Sequence, residues 1–142
     1  MATFNKINDW VDYEGEDVDL ASDQFVIALS NTAPASESSN PTSDGNGVLA
    51  NVTQITYTNL SSRNITTSSS SQSSGTYALV LTDITLTASG GSVGPFRYVY
   101  VYDDTVTGDP LVCYYDYGSS ITLADGEDIL IDFSASGLYT KS

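Results

Sequence analysis

Alternation of apolar and polar side chains with a period of two residues constrains this chain more than any other feature. The even positions of Tyr77–Ala88 are mostly apolar over twelve residues, whereas the odd positions become polar towards the end. Successive side chains of a strand point to opposite faces, so this pattern is typical of a β-strand with one buried face. A second alternation follows in Phe96–Tyr102. The pattern predicts a protein built from sheets.

Composition supports a sheet protein. Charged residues are only 15% of the chain, whereas serine and threonine account for 21 and 16 of the 142 residues. Exposed helix faces favour Lys, Glu and Arg, so this bias argues against a helical bundle. Hydroxyl side chains suit the outer faces of strands and turns.

Charge and residue content exclude several classes of function. The formal net charge is −14, with 18 acidic residues against four basic ones. Binding to nucleic acid or to an anionic membrane needs clustered cations, so neither partner is expected. The chain has no histidine and a single cysteine, Cys113. We therefore expect no enzyme activity, no intrachain disulfide and no cofactor.

The acidic segment from Glu14 to Asp23 raises the question of a metal site. Its carboxylates are dense, but their spacing is not the one that wraps a calcium ion. We interpret them as solvated acids and predict no metal site.

The N-terminal segment shows a helical pattern. Phe4, Ile7, Trp10 and Val11 fall on one stripe of a 3.6-residue period, and Gly15 ends it. Such a short helix is marginal alone, so Trp10 must pack on something. Either the helix closes one end of the domain, or it is an arm that docks on a neighbouring subunit. The predicted division is a helix or arm at 1–22 and a β-sandwich domain at 23–142.

The rest of the chain predicts seven or eight strands at roughly ten-residue spacing. An antiparallel β-sandwich, jelly-roll or immunoglobulin-like, is the simplest arrangement of such strands. Asn31–Gly47 is predicted as a long surface loop and Ser68–Gly75 as a flexible connection. Besides the two alternating segments above, the predicted strands are Gln24–Ser30, the end of Val48–Tyr57, Asn64–Thr67, Leu111–Tyr117, Ser120–Leu123 and Asp128–Ser134. The fifth of these pairs with the last as a hairpin around Ala124–Glu127.

Tyrosines concentrate on two strands that are expected to pair, Phe96–Tyr102 and Leu111–Tyr117. Tyrosine combines a large apolar area with a polar tip, so such a patch can bind a sugar or a protein. The alternative is cross-strand packing that stabilises a half-buried sheet. The candidate interface residues, from this hairpin and from the N-terminal stripe, are Phe4, Ile7, Trp10, Tyr98, Tyr100, Tyr102, Tyr115 and Tyr117.

Five segments together resemble a family of small virion structural proteins of tailed bacteriophages. The resemblance runs nearly end to end, and its motifs are strands and turns. The segments are Ala2–Asp9, Ala28–Pro34, Tyr57–Arg63, Thr85–Tyr98 and Tyr115–Glu127.

The resemblance implies a virion component, first of all a capsid decoration (cement) protein that binds the assembled shell of the major capsid protein and stabilises it. The major capsid protein is then the expected partner, with other copies of the chain as a further one. The expected location is the capsid surface, after synthesis in the host cytoplasm. Two alternatives remain: a tail-tube or head–tail connector subunit, and a receptor- or glycan-binding module of a tail tip or fibre.

Overall fold

The computed structural model describes residues 2–39 and 45–141, and it is an all-β protein. Strands make up 47% and helices 10%, and every strand pairing is antiparallel. The predicted antiparallel, sandwich-like fold with a short N-terminal helix is confirmed. The strands are β1 Thr3–Lys6, β2 Phe25–Ser30, β3 Asn64–Ile65, β4 Thr67–Ser73, β5 Thr76–Leu81, β6 Ile84–Thr87, β7 Val93–Asp103, β8 Leu111–Leu123, β9 Asp128–Ile131 and β10 Tyr139–Lys141. The helices are α1 Trp10–Glu16 and α2 Ser36–Ser39, with a 3₁₀ turn at Leu49–Asn51.

The strands of the described residues form one large sheet and two small ones. The large sheet has the order β1-β8-β7-β2-β3, and β7 and β8 form the predicted hairpin. The small sheets are β10-β5-β4 and β6-β9. Buried side chains of the large sheet and of the small sheets belong to one apolar cluster. Tyr115 of β8 contacts the ring of Phe133, which follows β9, with 6.3 Å between the ring centroids.

The N-terminal segment differs from the predicted helix. Phe4 lies on strand β1, which pairs with β8, and the helix begins only at Trp10. Ile7 and Trp10 are fully buried, and the Trp10 ring packs edge-on against Phe25. Of the two alternatives for this segment, the structure shows the one in which Trp10 closes the domain. The Trp10 side chain is buried by apolar residues of its own chain.

One carboxylate of the N-terminal segment, that of Asp9, binds the loop after β2. The Oδ2 atom of Asp9 accepts hydrogen bonds from the backbone N–H groups of Gly45 (2.9 Å) and Gly47 (3.0 Å). A Cβ atom at Gly47 would lie 2.6 Å from that of Asp9, so a larger residue would displace this contact. Within the predicted loop at 31–47, residues 36–39 form α2, and residues 40–44 lie outside the described residues.

The predicted strand Tyr77–Ala88 is divided between two sheets. Leu79 and Leu81 are buried in β5, whereas Leu86 and Ala88 are buried after the break, so the inward phase changes from odd to even positions. At the break, the carboxylate of Asp83 accepts a hydrogen bond from the backbone N–H of Phe133 (2.8 Å). The single long strand was wrong because a two-residue step at 82–83 carries the chain to the next sheet.

Three further strand predictions need correction. Ser68–Gly75 is mostly strand β4, since serine side chains are tolerated on an exposed edge that pairs with β5. The segment after the 3₁₀ turn is not a strand, although Ile55 donates a backbone hydrogen bond to Leu29 (2.9 Å). The turn at Ala124–Glu127 exists, but β9 pairs with β6 instead of with β8.

Candidate interaction surface

Most of the predicted interface residues are buried within the chain. Five of the eight have almost no exposed surface, so they cannot contact a partner in this conformation, and their assignment to an interface needs correction. These five are Ile7, Trp10, Tyr98, Tyr100 and Tyr102. Phe4 is exposed, and Tyr115 and Tyr117 are half-buried.

A cover over the large sheet explains why the β7 tyrosines are buried. Tyr100 is only 1% exposed. Burial raises the pKa of its hydroxyl to about 12, partly offset by a hydrogen bond with Ser38 of α2. Nearby, the Arg63 guanidinium lies 3.7 Å from the centre of the Tyr57 ring and donates to the Ile27 carbonyl (2.5 Å). Residues 36–39, part of the segment predicted to be a surface loop, therefore pack on the tyrosine face.

Strand β1 lies at one end of the large sheet, with no described strand on its outer side. Ile7 N–H donates to the Val112 carbonyl of β8 at 3.1 Å. Backbone groups alternate in direction along an antiparallel strand, so the N–H and C=O groups of Phe4 and Lys6 face outwards. These groups are available to a partner strand.

The exposed large apolar side chains all lie beside this edge. Among the described residues they are Phe4 (46% exposed), Val11 (52%) and Leu130 (54%). Phe4 packs edge-on against Tyr115, with ring centroids 5.5 Å apart. We name this region the β1 face: Phe4, Val11, Tyr115, Tyr117, Leu130 and Tyr139.

Two clefts adjoin at the β1 face. One, of about 400 Å³, is lined by Phe4, Val11 and Tyr139 among others. The other, of about 270 Å³, is lined by Tyr115, Tyr117 and Leu130 among others. Phe4 of the first cleft and Tyr115 of the second are in ring contact. A face of this kind, apolar and indented, suits protein side chains better than a flat polar surface does.

The hydroxyls of the β1 face stay protonated at neutral pH. Burial raises the pKa of Tyr115, and neighbouring Cys113 and Tyr117 add to the effect. Burial also raises the pKa of Tyr117, followed by the effect of Asp132. Both phenols can therefore donate a hydrogen bond to a partner's carbonyl group.

Charged groups lie at the rim of this face. Lys6 lines one cleft and Asp132 lines the other. Lys141 forms an ion pair with Glu14 at 2.5 Å. A polar rim around an apolar centre is the usual anatomy of a protein interface.

Reactive chemistry has few candidates in the described part of the chain. No group of three or more His, Cys, Asp or Glu residues within 2–39 and 45–141 is arranged to hold a metal ion. Cys113 is fully buried, and burial raises the pKa of its thiol. No described helix is long and apolar enough to cross a membrane.

Comparisons of the chain with protein-family models, curated proteins and solved structures found no match. The fold class comes from the structure, and the family resemblance in the sequence stays a prediction.

Sequence reasoning missed two of the exposed apolar residues. Leu130 occupies the outward phase of the alternation in Asp128–Ser134, where a leucine is out of place, and this was an available signal. Val11 was assigned to the buried helical stripe. It is exposed because the helix begins at Trp10, which turns Val11 away from the core.

Proposed function

We propose that this chain is a virion structural protein of a tailed bacteriophage, and that it decorates the assembled capsid by binding the major capsid protein. The observation that carries the proposal is the β1 face, where a free strand edge adjoins the exposed apolar side chains Phe4, Val11 and Leu130. The resemblance of the five sequence segments to virion proteins supplies the class of partner. No step of this role requires chemistry.

Charge supports a protein that is present in many copies. At a net charge of −14, free copies repel one another and stay apart in solution. The β1 face itself carries few charges, so binding there buries little charge. Repulsion between free copies and apolar contact with the shell therefore act at different places on the protein.

Stabilisation of a shell follows from linkage. A protein that binds the assembled shell and not its separate subunits shifts the equilibrium towards assembly, in proportion to occupancy and affinity. Repetition over many equivalent sites multiplies this effect. The β1 face needs only modest affinity at each site.

Co-sedimentation tests the proposal. Purified protein is mixed with assembled shells of the phage that encodes it or, separately, with unassembled major capsid protein. We expect the protein to pellet with shells at saturable stoichiometry and to raise the temperature at which the shells fall apart. Isolated tails are tested in parallel. Binding to tails and not to shells would contradict a decoration role and favour the connector or fibre alternative, and binding to neither would contradict the decoration role without favouring an alternative.

A further inference from the structure

Two carboxyl side chains, Asp23 and Asp103, meet inside the protein. Asp103 ends β7 and is 0% exposed, and Asp23, in the connection between α1 and β2, is also buried. The residues next to them in the chain, Gln24 and Asp104, are hydrogen-bonded to each other, and the Asp23 side chain acts on that of Asp103. The Oδ1 atom of Asp103 accepts from the backbone N–H groups of Thr105 (2.9 Å) and Val106 (3.3 Å), whereas its Oδ2 has no donor among the described residues.

The pair lies where two segments are joined by hydrogen bonds. The backbone N–H of Gln24 donates to Thr105 Oγ1 (2.9 Å), and the N–H of Asp104 donates to the Gln24 carbonyl (2.9 Å). Asp23 Oδ2 accepts from the backbone N–H of Asp19 (3.1 Å). The turn at 19–24 and the loop at 103–110 thus hold each other through groups on either side of the two carboxyls.

Neutralising charges do not reach the pair. The ion pairs among the described residues involve neither carboxyl. Arg63, which directly precedes β3, lies against Tyr57 and donates to a backbone carbonyl. The other ionisable groups on the two segments are acids, which disfavour a second negative charge. They are Asp19, Asp104 and Asp109.

A buried carboxylate without a cation is costly, and a second carboxylate beside it adds repulsion. One proton relieves both effects, because a carboxylic acid donates to its neighbour's oxygen. Burial, followed by Asp23, raises the pKa of Asp103 to about 7.

We propose that Asp23 and Asp103 share one proton. The hydrogen bond that this proton makes between the two carboxyls holds the turn at 19–24 against the loop at 103–110. When the proton leaves, two negative charges face each other in a buried site, and the turn and the loop separate. Histidine, the side chain that ordinarily titrates near neutrality, is absent from the chain. In the proposal, Asp103 takes that role. The inference is independent of the proposed capsid role.

The direction of the pH effect follows from the raised pKa. Between about pH 4 and about pH 7 the folded protein holds a proton that the unfolded chain has released. The free energy of unfolding therefore falls as the pH rises through this window, and it levels off above the folded pKa. This contribution has the opposite sign to that of an ordinary salt-bridged carboxylate.

The midpoint of urea unfolding, measured from about pH 5 to about pH 8, tests whether the shared proton holds the turn and the loop together. In Asp103→Asn, the side-chain N–H donates to Asp23 in place of the shared proton, and it does not titrate. The amide oxygen still accepts from Thr105 and Val106. Asp23→Asn does the same from the other side. Asp104→Asn, at an exposed neighbouring position, is the matched control.

We expect the urea midpoint of the wild type and of Asp104→Asn to fall as the pH rises. Those of Asp103→Asn and Asp23→Asn should stay level. A level wild-type curve would overturn the proposal, and so would an unchanged fall in both variants of the pair. If one variant does not fold, the wild type and the other variant decide.

Hydrogen exchange supplies a local readout. Protection of the Gln24 and Asp104 amides, corrected for intrinsic exchange, should drop as the pH rises in the wild type and not in Asp103→Asn. A cation site is the competing occupant. If millimolar calcium chloride restores the midpoint at high pH and a chelator reverses the effect, the site takes a metal and the shared proton is contradicted.

Discussion

Phe4 and Tyr115 lie opposite each other on β1 and β8, with their rings in edge-on contact at 5.5 Å. They form a pair that makes no backbone hydrogen bonds to each other, the arrangement in which side chains of neighbouring strands approach most closely. The contact joins the exposed edge of the large sheet to its buried face. It also marks the centre of the β1 face, on which the proposed function depends.

Loss of the exposed ring should weaken shell binding more than folding. Phe4→Ser removes apolar area from the β1 face, and Leu130→Ser does so from the second cleft. Each should lower the affinity for shells, measured by co-sedimentation, by roughly tenfold, since a well-placed apolar anchor is worth about 1–2 kcal/mol or more. Phe4→Tyr is the matched control and should bind like the wild type. Equal binding by all three variants would place the contact elsewhere.

The outer edge of β1 can be tested through its backbone. Lys6→Pro removes an N–H group that faces away from β8, and proline is tolerated on the free side of an edge strand. It should reduce shell binding if the partner adds a strand there, while the unfolding midpoint changes little. Lys6→Ala, which keeps the N–H group, separates the backbone effect from loss of the charge. Equal weakening of binding by Lys6→Ala and Lys6→Pro would indicate a charge contact instead.

The N-terminal segment should prove necessary for folding. Trp10→Ala empties a fully buried site and should lower the free energy of unfolding by about 3–5 kcal/mol. Deletion of residues 1–20 removes β1 as well and should leave no cooperative thermal transition. A truncated protein that unfolds cooperatively near the wild-type temperature would show that the segment is a dispensable arm.

Tyr100 and Tyr115 should respond differently to truncation. Tyr100→Ala should cost about 3–5 kcal/mol of stability, because its ring is buried beneath α2. Tyr115→Ser should reduce shell binding as well as stability, since its ring is half-buried on the β1 face. Denaturation and co-sedimentation of both variants measure the two effects. Weaker binding by folded Tyr100→Ala than by Tyr115→Ser would reverse this assignment.

The ion pair of Arg97 and Asp116 should make the free energy of unfolding fall at acid pH. Two hydrogen bonds, 2.8 and 3.1 Å, join the guanidinium to the carboxylate across β7 and β8, and they hold the pKa of Asp116 below its usual value. This contribution is present above the unfolded pKa and is lost as the pH falls through the folded one. In Arg97→Met the loss of stability at acid pH should be smaller. If Arg97→Met loses as much stability at acid pH as the wild type does, other carboxylates cause that loss.

Local patterns predicted the central elements of the fold. The β7–β8 hairpin and β2 follow from alternation and from apolar runs, since each is a continuous segment with a buried face. β4 was missed because a serine run has no apolar phase and is strand only through pairing with β5. The break at 82–83 was missed because both halves alternate, and only the change of phase separates them.

The candidate surface was partly predictable. Phe4 was named from the N-terminal stripe, but with the wrong secondary structure, because residues three apart can mark a helix or the end of a strand followed by a turn. The tyrosines of β7 looked like an interface because sequence does not reveal that α2 packs on that face. The Asp23–Asp103 pair joins residues eighty positions apart, so no local pattern could indicate it.

An electron-microscopy map of the virion that encodes this chain tests the central claim most directly. The account predicts many equivalent copies on the outer surface of the capsid shell, each with Phe4, Val11 and Leu130 turned towards the major capsid protein. Density for this domain only in the tail, or intact particles that lack it altogether, would contradict the account.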